Sequence, residues 1–322
     1  MINDQNKTDN SYIMKKNIAI TIRSFGLDPD VMDLLHSHVN ITFKNTSGKR
    51  LLESDLARSI QNAAGVIAGT EQFSSQVIAA SGDLRVISRV GVGTDSIDLD
   101  AASKRDIRIF TTPAATVQPV AEHTLALILS LMKKTAEYHE TVKKGEHKIK
   151  EGSLLYGKDV GIVGLGRIGF RVAELLSCIG CTICYFDPFF TTLPPPSWKK
   201  MQSLHELLAN VDIITLHTPS LKDNLPVLNR EAFNQCRHGV LVINTARGSL
   251  VDESALSDAL STGRVAGAGL DVTIKEPYEG PLLAFPQVIL TPHVASNTIE
   301  SRKAMEMEAV ENIIKGLEEE GR

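Results

Sequence analysis

Short apolar runs without alternation recur along the chain, separated by stretches with the three-to-four-residue spacing of amphipathic helices. Residues 17–22, 64–68 and 85–88 read as strands, and 28–37, 74–80 and 99–105 as the helices between them. Apolar runs that do not alternate fit strands buried on both faces. Strands alternating with helices predict an α/β fold with parallel sheets built from βαβ units. A second series begins near Asp159, with strands at 159–163, 182–186, 211–216, 240–244, 265–270 and 288–290. Its helices are expected at 168–176, 204–209, 253–260 and 300–317. Between the two series, residues 120–144 form one long helical pattern, apolar around most of its first half and charged from Lys133. A helix apolar on all sides must be buried on all sides. That predicts packing between domains or between subunits. The segment Leu193-Pro-Pro-Pro-Ser197 reads as a surface loop, Met1 to Lys16 as a short disordered tail, and Leu317 to Gly321 as a solvated acidic tail.

Length and composition narrow the classes. A chain of 322 residues suggests about two domains. A hydrophobic fraction of 43% supports a real core and excludes a mainly disordered chain. The formal net charge of −4 shows no basic excess for nucleic acid, so none is expected as a partner. Aromatics are only 5%, which argues against a stacking surface for bases. The longest apolar run, Leu125 to Met132, falls far short of the roughly 20 residues of a spanning helix, so no membrane contact is expected. The N-terminus lacks an apolar signal core, which makes the cytoplasm the expected compartment. Cys178, Cys181 and Cys184 have an iron–sulfur-like spacing, but no fourth cysteine lies near. Buried structural thiols are expected instead, and no metal site.

The strongest local signal is Gly164-Leu-Gly166-Arg-Ile-Gly169, a G-x-G-x-x-G pattern with a strand before it and a helix after it. The first glycine allows a tight turn, the second lets backbone approach a pyrophosphate, and the third lets helix and strand pack closely. The helix N-terminus adds free N–H groups for phosphate. Asp187 follows 23 residues after Gly164, at the end of the next expected strand. A carboxylate there accepts hydrogen bonds from a ribose and repels a 2′-phosphate, which favours NAD over NADP. The alternative is a turn cap before Pro188. Further along, Asn244-Thr-Ala-Arg247-Gly248, Leu270-Asp271, Glu276-Pro277 and Thr291-Pro-His293 follow the ends of expected parallel strands. Ligands of open α/β sheets bind outside those ends. Reduction of a 2-oxo acid needs a cation for the carboxylate, a proton donor and a hydride. Arg247 can grip a carboxylate through its planar fork. His293 can move the proton. Glu276 can fix the tautomer of His293, and the hydride belongs to the cofactor. Each of the three taken singly also fits a surface charge, a loop residue or a core histidine. Their conjunction with the glycine pattern favours the chemical reading.

The chain resembles the D-isomer-specific 2-hydroxyacid dehydrogenases from about Ile18 to Leu317. The resemblance rests on Arg89-Val-Gly-Val-Gly-Thr-Asp-Ser-Ile-Asp98, Val120-Ala-Glu-His-Thr-Leu-Ala-Leu127, Gly161 to Gly169, Asn244 to Gly248 and Thr291-Pro-His-Val-Ala295. The stretch Ile20 to Phe25 and the run Ser88 to Gly93 look most like the phosphoglycerate-dehydrogenase-like branch. The resemblance implies two parallel-sheet domains, Rossmann-like and flavodoxin-like, with a cleft between them that closes on binding. A substrate domain would take residues 1–114 and the returning 297–322. An NAD-binding domain of 115–296 would be inserted between them, opening with the long helix at a dimer interface, so a homodimer is implied.

The family's catalytic Arg, Glu and His match Arg247, Glu276 and His293. Its substrate-binding turn matches Val92 and Gly93. Arg167 and Ile168 match pyrophosphate contacts, Thr245, Ala246, Asp271 and Ala295 match the nicotinamide surroundings, and Thr218 and Pro219 match the adenosine side. Arg89 either helps bind a substrate phosphate or pairs near the cleft. His123 reads as helix packing, and Lys148 and Lys150 as solvated surface. The expected substrate is a small anionic 2-hydroxy or 2-oxo acid, 3-phosphoglycerate first. A hydroxypyruvate or glyoxylate reductase is the alternative within the family, and an NAD(H)-sensing corepressor-like binding protein the alternative of another class.

The chain departs from the family pattern at Pro113-Ala-Ala-Thr-Val117, where a polar pair is common, at Thr273, where Phe is common, and at His147, where an aromatic is common. Val117 cannot replace a hydroxyl's hydrogen bond, and all three departures bear on substrate choice. The chain stops after one C-terminal helix, so serine feedback through a regulatory domain is not expected.

Overall fold

The computed structural model describes residues 15–220 and 225–319. The expected N-terminal tail lies almost wholly outside them, as do the last residues of the acidic tail. The chain divides into two units, one running up to Ala115 and resuming at Ile299, the other spanning Thr116–Thr298.

The first unit contains, in order, β1 (Asn17–Ile20), α1 (Pro29–His38), β2 (Asn40–Lys44), α2 (Glu53–Ser59), β3 (Gly65–Ala68), α3 (Ser75–Ala79), β4 (Val86–Arg89), α4 (Leu99–Ser103) and β5 (Arg108–Thr111). All five strands are parallel, in the order β2-β1-β3-β4-β5. That is the flavodoxin-like doubly wound order. All four residues of β3 are buried, as strands covered on both faces require. Side chains Asp28, Ser74 and Asp98 cap α1, α3 and α4 by accepting backbone N–H bonds.

The second unit begins with α5 (Val117–Lys133) and α6 (Thr135–Lys143). It continues through β6 (Asp159–Val163), α7 (Arg167–Ile179), β7 (Thr182–Phe186), β8 (Lys199–Lys200), α8 (Leu204–Asn210), β9 (Ile213–Leu216), α9 (Arg230–Gln235), β10 (Val240–Asn244), α10 (Glu253–Ser261), β11 (Val265–Leu270) and β12 (Val288–Leu290). Seven parallel strands run in the order β12-β11-β10-β9-β6-β7-β8. The order reverses between β6 and β9, which is the switch point of a Rossmann sheet. Two apolar layers cover it. One holds Leu207, Phe233 and Leu256, and the other holds Ile128, Val172 and Leu176. The chain then returns to the first unit as α11 (Ile299–Glu318), whose Val310 and Ile313 pack with Ile18, Ile20 and Val86.

Two expectations are corrected, the unbroken helix of 120–144 and the burial of all three clustered cysteines. The single helix of 120–144 breaks at Lys134, whose φ of 54° is left-handed, and α6 beyond it buries no residue. The apolar first half is not covered all round within this chain. Val120, Ala121, Thr124, Leu127 and Ile128 are buried, while Ala126 and Leu129 on the opposite face are exposed. Of the cysteine triplet, Cys181 and Cys184 are buried but Cys178 is exposed, because it falls on the outward side of α7. Burial pushes the Cys181 and Cys236 thiols up to about 11. Among the described residues there is no cluster able to hold a metal ion, and no helix long and apolar enough to cross a membrane. The pattern also passes over β2, β5, β8, α2 and α9. These are short, and β2 and β5 form the two edges of their sheet, where weaker burial leaves a weaker apolar signal.

Candidate active site

The glycine turn joins β6 to α7 at the switch point. Gly164 has a φ of +91°, and a Cβ there would lie 2.7 Å from the carbonyl oxygen of His217. A Cβ on Gly169 would lie 2.1 Å from the carbonyl oxygen of Gly164. Gly166 is the N-cap of α7, and a Cβ on it would meet no heavy atom within 4 Å. Two of the three glycines thus answer contacts inside the fold, while the third faces open space. No side chain caps the N-terminus of α7. The N–H groups of its first turn, at Arg167 and Ile168, therefore face that space with the positive end of the helix dipole. These features fit a dinucleotide pyrophosphate. Asp187, just past β7, accepts from the N–H of Leu165 at 2.8 Å through Oδ2 and from the N–H of Phe189 at 2.8 Å through Oδ1. It ties the glycine turn to its own turn, and each oxygen keeps a lone pair for a ribose hydroxyl.

His217 follows β9, ahead of Thr218 and Pro219. The motif reading passes over it. Its Nε2 lies 2.9 Å from the Thr215 hydroxyl, and burial pushes its pKa down to about 3, so the ring is neutral. A histidine closing the strand at the switch point is the signal that marks it.

At the end of β10, Asn244 is buried. Its Oδ1 accepts from the Ala246 N–H at 3.0 Å, and its Nδ2 donates to the Arg247 carbonyl at 2.8 Å. This one amide shapes the loop that carries Thr245, Ala246 and Arg247. The Arg247 guanidinium is half-buried and donates to the Ala246 carbonyl at 2.7 Å. Thr245 meets the Thr124 hydroxyl of α5 at 2.9 Å.

Asp271 closes β11 and is 1% exposed. Its Oδ1 accepts from the Thr291 hydroxyl at 2.6 Å and the Val294 N–H at 2.9 Å, and its Oδ2 accepts from the Ala295 N–H at 2.9 Å. Burial pushes its pKa up, but hydrogen bonds from His123, Thr291, Val294 and Ala295 outweigh that and hold it at about 2. Asp271 is therefore a carboxylate at neutral pH, folding the loop after β12 around itself. His293 sits in that loop with a φ of 56°, and its N–H donates to the carbonyls of Asp271 and Thr291. Its Nδ1 lies 3.2 Å from Oε2 of Glu276. Both side chains are nearly half exposed, so the far ring nitrogen remains open to a ligand. Arg247, Glu276 and His293 thus follow three neighbouring parallel strands at one edge of one sheet.

In the first unit, Arg89 ends β4 and donates to the Val90 carbonyl at 2.8 Å. The N–H of Gly91 donates to the Thr112 hydroxyl at 2.7 Å, which anchors the turn from which Val92 projects, 42% exposed, beside Gly93. Among the departures from the family pattern, Thr273 bonds the Lys275 carbonyl at 2.8 Å and His147 is exposed.

Residues 125–295 match the family model described as the D-isomer specific 2-hydroxyacid dehydrogenase, NAD binding domain. The chain belongs to this family. It is 36% identical over 260 residues to a D-3-phosphoglycerate dehydrogenase of Archaeoglobus fulgidus, covering 78% of this chain and 49% of that protein. It therefore spans about half the length of the curated phosphoglycerate dehydrogenase relatives it matches. It is 33% identical over 258 residues to a hydroxypyruvate reductase of Thermotoga maritima, covering 78% of this chain and 84% of that protein. The structure of the TT0316 protein from Thermus thermophilus superposes with a TM-score of 0.84 at 34% identity, over 94% of this chain and 97% of that one. Both parallel sheets agree with the fold expected of the family, and the second carries its NAD-binding domain.

Proposed function

We propose that this protein is an NAD-dependent oxidoreductase that interconverts a small D-2-hydroxy acid and its 2-oxo acid. The observation that carries the reading is the His293–Glu276 pair at 3.2 Å, beside the Arg247 loop on a sheet edge that belongs to an NAD-binding domain. NAD supplies or accepts the hydride when bound. Gly166, Arg167 and Ile168 hold its pyrophosphate, Gly164 and Gly169 shape the turn beneath, and Asp187 binds its ribose. Thr218 and Pro219 line the adenosine side, and Thr245, Ala246, Asp271 and Ala295 surround the nicotinamide. Arg247 binds the substrate carboxylate as a bidentate fork. In the oxidation direction the exposed ring nitrogen of His293 takes the hydroxyl proton, and in reduction it returns one to the carbonyl oxygen. Glu276 keeps a proton on Nδ1 of His293 and stabilises the imidazolium that forms. From the first unit, we assign substrate contact to the N–H groups of Val92-Gly93 and to Arg89.

The substrate we favour is 3-phosphoglycerate, as the names of the half-covered relatives suggest. Hydroxypyruvate is the second reading, favoured because the chain covers 84% of a reductase so named. We also assign a cytoplasmic homodimer, with the exposed Ala126 and Leu129 face of α5 as contact. The test is kcat/KM for NADH-dependent reduction of phosphohydroxypyruvate, hydroxypyruvate and glyoxylate. The first should lead by at least about tenfold. Arg247→Ala should raise KM and lower kcat together, since the fork positions as well as binds. NADH binding with no turnover of any 2-oxo acid would favour a sensing role instead.

A further inference from the structure

α5 packs against β10 and β11, and two consecutive side chains of it reach the loops beyond them. Thr124 donates to the Val120 carbonyl at 2.8 Å, so its oxygen accepts the Thr245 hydroxyl at 2.9 Å, at the root of the Arg247 loop. His123 lies 3.0 Å through Nε2 from the Thr291 hydroxyl, at the root of the His293 loop, and 3.5 Å from Oδ1 of Asp271. Proton placement follows from the inventory of donors. Thr291 has one hydroxyl proton, and the Asp271 carboxylate at 2.6 Å can only accept it. Thr291 therefore accepts from His123, and Nε2 of His123 carries a hydrogen. The bonds run in one direction, from His123 to Thr291 to Asp271, while the N–H groups of Val294 and Ala295 donate to the same carboxylate.

We propose that His123 is a positioning residue, which acts through Thr291 and Asp271 to hold the loop bearing His293 against Glu276. The helix pattern that assigns His123 to packing describes its backbone. Its side chain belongs to the acid–base apparatus. Together with Thr124, it makes one turn of α5 the reference that sets the Arg247 loop and the His293 loop in register. The kinetic part rests on the proposed dehydrogenase reading, and the structural part does not.

The test compares His123→Ala, His123→Gln and Thr291→Val in the full chain. Amide hydrogen exchange in peptides covering 292–296 should be at least about tenfold faster in His123→Ala, with the glycine-turn peptides unchanged. NADH affinity should stay within about twofold. kcat should fall about tenfold, equivalent to about 1.4 kcal/mol. His123→Gln, whose amide keeps a donor, should recover most of both effects. The double variant His123→Ala with Thr291→Val should be no slower than the worse single one, because both break the same chain of bonds. Unchanged exchange at 292–296 in His123→Ala would overturn the proposal whatever the turnover. So would a loss of NADH affinity as large as the loss of kcat. If wild type reduces no 2-oxo acid, the dehydrogenase reading fails while the exchange result still decides the role of His123.

Discussion

Two turns at the carboxyl ends of strands of the Rossmann sheet are built by opposite means. The turn after β6 is shaped by the absence of side chains. Gly164 and Gly169 leave room for backbone to pass at distances that no Cβ tolerates, and Gly166 leaves room for a ligand. The loop after β12 is shaped by side chains that reach it from elsewhere. A buried carboxylate at 271 gathers a hydroxyl and two N–H groups around His293. In the proposed function the first turn binds a constant ligand, for which a fixed cavity suffices. The second would present a proton carrier at a set angle, which directional bonds can hold. Shape alone makes a binding turn, while a reacting loop needs orientation.

The largest effect separating the two should come from Gly169→Val. Its Cβ would press on the Gly164 carbonyl from 2.1 Å, and overpacking of this kind costs about 1–3 kcal/mol or more. Thermal melting should fall by many degrees and NADH binding should be lost with it. Next in size is Asp271→Asn, read as a function of pH. Folding lowers the carboxyl from 3.8 to about 2. The charged form is thus favoured in the folded state, and the stabilisation is complete above the unfolded value. It amounts to about 2 kcal/mol and disappears as the pH falls toward 2. The stability gap between wild type and Asp271→Asn, from urea melts, should be constant above about pH 5 and shrink below pH 4. The smallest effect should be that of Gly166→Ala. Its Cβ meets no neighbour, so melting should be unchanged while NADH affinity falls about tenfold. If Gly166→Ala destabilised the fold like Gly169→Val, the division of labour among the glycines would be wrong.

The same contrast explains what the sequence disclosed. The glycine turn is legible because its cause is local. Three positions within six residues carry it, and a strand and a helix flank them. Arg247, Glu276 and His293 are legible by placement, since each follows a strand whose apolar run is clear. The network behind His293 is not legible. His123 and Thr291 are 168 residues apart, and the helix pattern around His123 is satisfied by packing alone. The break at Lys134 is hidden for a related reason. A left-handed lysine has no compositional mark, and helical spacing continues on both sides of it. The apolar pattern of α5 overstates its burial within one chain. Ala126 and Leu129 extend the apolar pattern onto a face that this chain leaves exposed.

The central claim is that His293, held by Glu276, carries the proton of an NAD-dependent reaction on a 2-hydroxy acid. The direct test is steady-state turnover of His293→Ala beside its NADH dissociation constant. kcat should fall by about 10² to 10⁴, the usual worth of a general acid–base group, with NADH affinity within about twofold. A variant that kept more than about a tenth of wild-type kcat would contradict the assignment.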